Sequence, residues 1–181
     1  AEKLISPGAE DIYGRFGIDV YAEGETSMQE TVAKLLLERG LTIAVAESCT
    51  GGLVASKLIE YPGISEVFME GDVTYSNDAK MRRLGVKAET LKNHGAVSAE
   101  TAVEMAEGIA KNAKTAVGLS TTGVAGPGPS EGKPDGLVYV VVYINGRTYV
   151  KELHLAGKRN IIRERAAYSA LDYLRRKIIL D

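Results

Sequence analysis

Leu41-Thr42-Ile43-Ala44-Val45-Ala46, running into Glu47-Ser48-Cys49-Thr50-Gly51-Gly52, is the stretch on which the fold turns. Its first half is apolar on both alternating faces, which predicts a central strand covered by helices on its two sides. Its second half is small, hydroxylated and glycine-rich, and leads toward Leu53, Val54, Ala55 and Leu58, an apolar helical pattern expected over about residues 50–61. A strand passing through such a turn into a helix sets side-chain nucleophiles beside free backbone N–H groups. Ser48 is then the candidate nucleophile, at the carboxyl end of a strand where α/β proteins place their sites. The plainer alternative is that Ser48 or Thr50 only caps the helix.

Working outward, Gly17–Ala22 alternates like a short strand, and Ser27 and Glu30 have capping-box spacing ahead of Val32, Leu35, Leu36 and Leu37. Val67–Tyr75 reads as a strand and Asn77–Leu84 as a short helix. Two further helices are expected over 88–93 and 99–112, the second with Ala102, Val103, Ala106, Ile109 and Ala110 on one face. Thr115–Thr121 is a strand, and the glycine- and proline-rich run 123–136 a loop. Leu137–Ile144, Asn145-Gly146 and Arg147–Leu155 spell a hairpin, because Asn-Gly accepts the positive φ angles of a type I′ turn. An amphipathic helix over 158–179 closes the chain. The expected fold is α/β: a single three-layer α/β/α domain around a mixed sheet.

The 181 residues, 45% hydrophobic, suit one domain with a sizeable core. The 22 basic and 24 acidic residues give a net charge of −2, no electrostatic footprint for nucleic acid. No run is long enough for a membrane span and the first residues lack a signal peptide's apolar core, so a cytoplasmic protein is expected. One cysteine makes no internal disulfide, and His94 and His154 lie too far apart to suggest a metal site; no cofactor or metal is expected.

Acyl transfer at such a turn needs a nucleophile, a base, oxyanion donors and an acid for the leaving group. The backbone N–H groups around Ser48 and Cys49 are the natural oxyanion donors, with Gly51 and Gly52 leaving room for close approach. Thr122 and Gly123, at the end of the strand 115–121, are placed to complete the cradle. Cys49 is intrinsically the better nucleophile, which keeps open a cysteine–histidine scheme through His94 or His154.

Four blocks occur together: Ala46–Gly52, Gly71-Asp72-Val73-Thr74-Tyr75-Ser76-Asn77 followed by Lys80, Gly95–Ala102, and Thr121-Thr122-Gly123-Val124-Ala125-Gly126-Pro127-Gly128. In that order they resemble the C-terminal domain of the competence/damage-inducible protein CinA, the nicotinamide-nucleotide amidase family, over roughly residues 20–180. The resemblance implies a three-layer α/β/α fold and hydrolysis of the carboxamide of nicotinamide mononucleotide to the carboxylate and ammonia. It implies Ser48 as nucleophile, and Tyr75 and Lys80 at the family's catalytic tyrosine and lysine positions. Lys80 is then the general base, which requires burial to bring an amine pKa from about 10.4 to near neutrality. Tyr75 is expected to pass or orient the proton.

Cys49, Thr50, Gly51, Gly52, Thr122 and Gly123 are expected around the substrate. Arg163 resembles the family's arginine at the start of the last helix and is expected on the phosphate, with Arg159 the weaker candidate. The loop 128–136 departs from the family by carrying fewer glycines, an extra proline and acidic residues. In the family this domain often follows another, so residues 1–16 are expected to be a linker or remnant and 17–181 the amidase domain. Self-association, first as a homodimer, is expected, with a small nucleotide as the only other partner. A non-catalytic nucleotide-binding or regulatory domain is the alternative.

Overall fold

A computed structural model describes residues 2–181, with side chains from Gly8 onward. The helix α1 (Glu2–Phe16) precedes a short 3-10 turn, Gly17–Asp19, and then α2 (Met28–Glu38). The strand β1 (Ile43–Glu47), helix α3 (Leu53–Ile59) and strand β2 (Phe68–Val73) follow. Next come α4 (Asn77–Leu84), α5 (Ala88–His94), α6 (Ala99–Ala113) and β3 (Val117–Gly123). The chain ends with β4 (Leu137–Ile144), β5 (Arg147–His154) and α7 (Arg159–Leu180).

One five-stranded sheet has the order β2-β1-β3-β4-β5. β1 is parallel to both β2 and β3, whereas β3–β4 and β4–β5 are antiparallel. The mixed sheet follows from the connections: helices carry the chain back between the first three strands, and a two-residue turn joins the last two. Asn145 and Gly146 have φ of 48° and 87°, as that turn needs.

Alternation along β1 sorts the core into two layers. Ile43 and Val45 face Val32, Leu36, Leu58, Leu171 and Leu174, from α2, α3 and α7. Ala44 and Ala46 face Leu84, Met105 and Ile109, from α4 and α6. Every residue of β1 is buried, as a strand covered on both sides requires. Each fully buried leucine in these layers contributes about 1.5–3 kcal/mol relative to exposure.

Small residues decide how closely α6 lies on the sheet. A Cβ on Gly118 would stand 2.1 Å from Ala106 O and 2.9 Å from Ala110 Cβ. Gly118→Ala therefore forces helix and strand apart, and is expected to lower unfolding free energy by about 3 kcal/mol in denaturant titration. Gly14→Ala, on α1 with nothing within 4 Å of the added methyl, is the comparison, and is expected to change stability by less than about 1 kcal/mol.

Two local expectations fail. Gly17–Asp19 is a 3-10 turn rather than a strand. The segment is anchored to α7 instead: Ile18 O accepts from Arg175 Nη2 at 2.5 Å, and Asp19 pairs with Arg176 at 2.7 Å. The helix after β1 begins at Leu53 rather than Thr50, because Gly51 and Gly52 adopt φ of 62° and 93° and hold a turn open. Among the described residues no helix is long and apolar enough to cross a membrane.

Candidate active site

β1 turns into the site through hydrogen bonds that run past its end. Glu47 O accepts from Thr74 N–H, and Ser48 N–H donates to Thr121 O, both at 2.9 Å. Ser48 is thereby fixed between the ends of β2 and β3, at the point where the chain's strand order switches sides. Gly51 N–H donates back to Ser48 O at 3.1 Å, closing the turn. The Thr50 and Thr121 hydroxyls meet at 2.6 Å and tie it to β3.

The first turn of α3 has Gly52 as its N-cap and no side-chain cap of the ordinary kind. Glu47 takes that part: its carboxylate accepts from Gly52 N–H at 3.0 Å, Val54 N–H at 3.1 Å and Ala55 N–H at 2.8 Å. Glu47 is only 1% exposed, so these bonds satisfy a buried carboxylate and the helix end together. Neither Ser48 nor Thr50 caps the helix, and the Ser48 hydroxyl is left for other work. Sequence reasoning passed over Glu47; its signal was an acidic residue at a strand's inward end before a helix with glycine at its cap.

Lys80 supplies the partner. Ser76 caps α4 by accepting from Ala79 N–H at 3.1 Å, and the next residue, Lys80, turns inward from the first turn. Its side chain is among the largest fully buried in the protein, at 1% exposure. Nζ donates to Thr74 O at 2.8 Å and Tyr75 O at 3.4 Å, and lies 3.2 Å from Ser48 Oγ. A neutral amine has two N–H groups and one lone pair. In that form the two carbonyls take the N–H groups and the lone pair faces the Ser48 hydroxyl, whereas in the charged form the third N–H donates to Ser48 Oγ. Burial pushes the Lys80 pKa below its ordinary value, with the positions of Cys49 and Glu131 pulling the other way. The amino end of α4 also disfavours a cation there.

These groups line a cavity of about 370 Å³. Ser48, Cys49, Tyr75, Lys80, Thr122 and Gly123 all contribute to its wall, whereas Thr50, Gly51, Gly52 and Arg163 are not among the residues that line it. Tyr75 does not stand between serine and lysine, which touch directly. Its side chain is 62% exposed, and its hydroxyl accepts from Arg159 Nη2 at 3.0 Å. Arg159 itself lines the cavity, also donating to Gly126 O at 2.6 Å. The Thr122 hydroxyl donates to Ala96 O at 2.7 Å. Gly123 is required by packing, since a Cβ would come within 2.7 Å of Leu137 O.

The Ser48 N–H, expected as an oxyanion donor, is instead occupied by the sheet, as are Gly51 by Ser48 O and Gly52 by Glu47. The Cys49 and Thr50 N–H groups donate to no oxygen among the described residues; they lie against the Cys49 sulfur, a weak acceptor. Burial pushes the Cys49 thiol up to about 12, which disfavours its thiolate. That weighs against the cysteine scheme, which needs the thiolate. Neither histidine lines the cavity; His94 pairs with Glu100 and His154 with Glu152 on exposed surface. Among the described residues no three His, Cys, Asp or Glu side chains converge as a metal site.

A serine and a buried lysine joined at a strand end, within a three-layer α/β/α domain, define the class of site. The chain matches the family model described as CinA C-terminal domain over residues 25–178, and it belongs to that family. It is 58% identical over 179 residues to a Clostridium perfringens protein provisionally named competence-damage inducible, and 57% identical over 180 residues to a CinA-like protein of Kosmotoga olearia. Those matches cover 98% and 99% of this chain but only 43% and 44% of the two relatives, so the chain spans less than half of their length. A solved CinA superfamily structure from Klebsiella pneumoniae superposes with TM-score 0.83 at 32% identity, covering 86% of this chain and all of that one. A competence/damage-inducible protein from Agrobacterium tumefaciens gives 0.76 at 39% identity, over 84% of this chain and 97% of that one.

Proposed function

We propose that this domain is a serine amidohydrolase that converts the carboxamide of nicotinamide mononucleotide to the carboxylate, releasing ammonia. The observation that carries the reading is the 3.2 Å separation between Ser48 Oγ and the Nζ of a lysine that is 1% exposed. Neutral Lys80 takes the hydroxyl proton as Oγ attacks the carboxamide carbon. The oxyanion settles on the Cys49 and Thr50 N–H groups. Protonated Lys80 then returns its proton to the amide nitrogen, and ammonia departs from an acyl-enzyme at Ser48. Water, deprotonated by Lys80, attacks the ester; Ser48 is regenerated and the carboxylic acid leaves. No redox or metal step is involved in this cycle.

The choice of a nucleotide rests on the resemblance of the motif blocks, supported by a cavity of ligand size with a cation at its wall. Arg159 is the first residue of α7, so its guanidinium and the positive end of a 22-residue helix lie together. Arg163 faces elsewhere, which makes Arg159 the better placed cation for a phosphate.

Ammonia release from nicotinamide mononucleotide by the wild type tests the reading directly. An inactive wild type that still binds the nucleotide would favour the non-catalytic alternative. Cys49→Ala keeps the backbone donor and removes the thiol; it is expected to lower kcat/KM by less than about tenfold in the same assay. A loss as large as that of the nucleophile would return the cysteine to contention.

A further inference from the structure

Arg163 does not reach the cavity; its guanidinium is spent on the backbone of the nucleophile turn. Nε donates to Cys49 O at 3.2 Å and Nη2 to Thr50 O at 2.9 Å, with Nη1 3.4 Å from Asn160 Oδ1 on its own helix. Gly51 makes this approach possible, because a Cβ there would stand 3.1 Å from Nη2. In a planar trans peptide the C=O and the following N–H point in opposite directions. Holding the Cys49 carbonyl on the α7 side therefore turns the Thr50 N–H away from α7, to the side where the Cys49 thiol lines the cavity. Glu47 holds the same turn from its other end through the Gly52, Val54 and Ala55 N–H groups.

From this arrangement we infer that Arg163 is a positioning residue for the oxyanion donors: its hold on Cys49 O keeps the Thr50 N–H aimed at the reacting carbonyl oxygen, and its hold on Thr50 O keeps the Gly51 N–H on Ser48 O, the carbonyl of the peptide that carries the Cys49 N–H. The inference rests on the amidase reading. It differs from a phosphate role in what it predicts. A group that shapes the oxyanion hole acts on the transition state, so its removal lowers kcat, whereas removing a group that grips the ground-state ligand raises KM.

Steady-state ammonia release from nicotinamide mononucleotide is measured for wild type, Arg163→Ala and Arg163→Lys, alongside melting temperatures. Arg163→Ala is expected to lose about 10²-fold in kcat, the scale of one oxyanion donor, with KM moved by less than about threefold. Arg163→Lys is expected to fall between the two, since an ammonium reaches one carbonyl and cannot fork across both. Should Arg163→Ala fail to fold, the lysine variant carries the same comparison of kcat against KM. A tenfold or greater rise in KM with kcat unchanged, or about equal activity in all three proteins, would overturn the inference.

A fluorophosphonate separates its failure from that of the amidase reading. Ser48 Oγ forms a bond to phosphorus, fluoride leaves, Lys80 takes the proton, and the phosphoryl oxygen uses the same backbone donors. Wild type labelled at Ser48 but releasing no ammonia retires only the amide substrate, and slower labelling of Arg163→Ala still supports the clamp. Arg163→Ala labelled as fast as wild type overturns the clamp, and a wild type left unlabelled at Ser48 overturns both.

Discussion

Ser48→Ala is expected to lose more than about 10³-fold in kcat for ammonia release from nicotinamide mononucleotide, with nucleotide affinity held within about threefold. The size follows from what the hydroxyl does. Without it no acyl-enzyme forms, and the neighbouring N–H groups and Lys80 can only assist direct attack by water. Binding should survive because the Ser48 side chain is a small part of the wall and its backbone is fixed independently by Thr121 O. The fold should survive too: the hydroxyl caps no helix, and its partner in the protein is Lys80 Nζ. Removing that hydroxyl leaves the lysine with its two carbonyl acceptors, so the amine stays in place. Single-turnover mass spectrometry gives a second readout, an acyl adduct on Ser48 in wild type and none in the variant. A Ser48→Ala protein that keeps more than about a tenth of the wild-type rate ends the mechanism.

How much of this site is legible in the sequence depends on whether local or long-range physics places each residue. Lys80 is readable because a Ser76 cap and a short helix fix its direction within a few residues, and because its motif block carries the resemblance. The hairpin at Asn145-Gly146 and the doubly covered strand β1 are readable for the same local reasons. The contacts of Arg163 are not: the resemblance marks it for a phosphate, and nothing local shows which groups it meets. Its bonds to Cys49 O and Thr50 O exist only because α7 crosses the β1–α3 turn from more than a hundred residues away. Tyr75 follows the same rule in reverse, since its place just beyond β2 is plain but its hydroxyl's partner, Arg159, comes from the far end of the chain. α1 escapes a sequence reading because Pro7, Gly8 and Gly14 weaken helix propensity, and Ile12, Tyr13 and Phe16 lie exposed on it. The Gly51 and Gly52 turn shifts the start of α3, as positive φ angles end a pattern that apolar spacing alone would continue.

Replacing Lys80 separates a base from a fixed charge. Lys80→Met is expected to lower kcat/KM by about 10²- to 10⁴-fold, the range for losing a positioned general base. Lys80→Arg should fall as far, because a guanidinium keeps its proton at any working pH and cannot accept another; an active arginine variant would mean that the site needs only a cation. The pH profile carries the same distinction. Burial holds the Lys80 pKa below 10.5, and only the neutral amine is a base, so wild-type kcat/KM rises with pH through that lowered value and then levels. Stability moves with the same proton. Between the lowered native pKa and 10.5 the unfolded chain binds a proton at this position that the folded chain does not, so unfolding free energy from this group rises with pH across that window. Its contribution is complete above the unfolded value and is lost as pH falls through the native one. Lys80→Met lacks the group, so its melting temperature relative to wild type is expected to be highest at low pH and to decline as pH is raised toward 10.5. A difference that stays flat across that range would mean that the amine is charged in the folded protein, and a charged amine beside Ser48 cannot be the base.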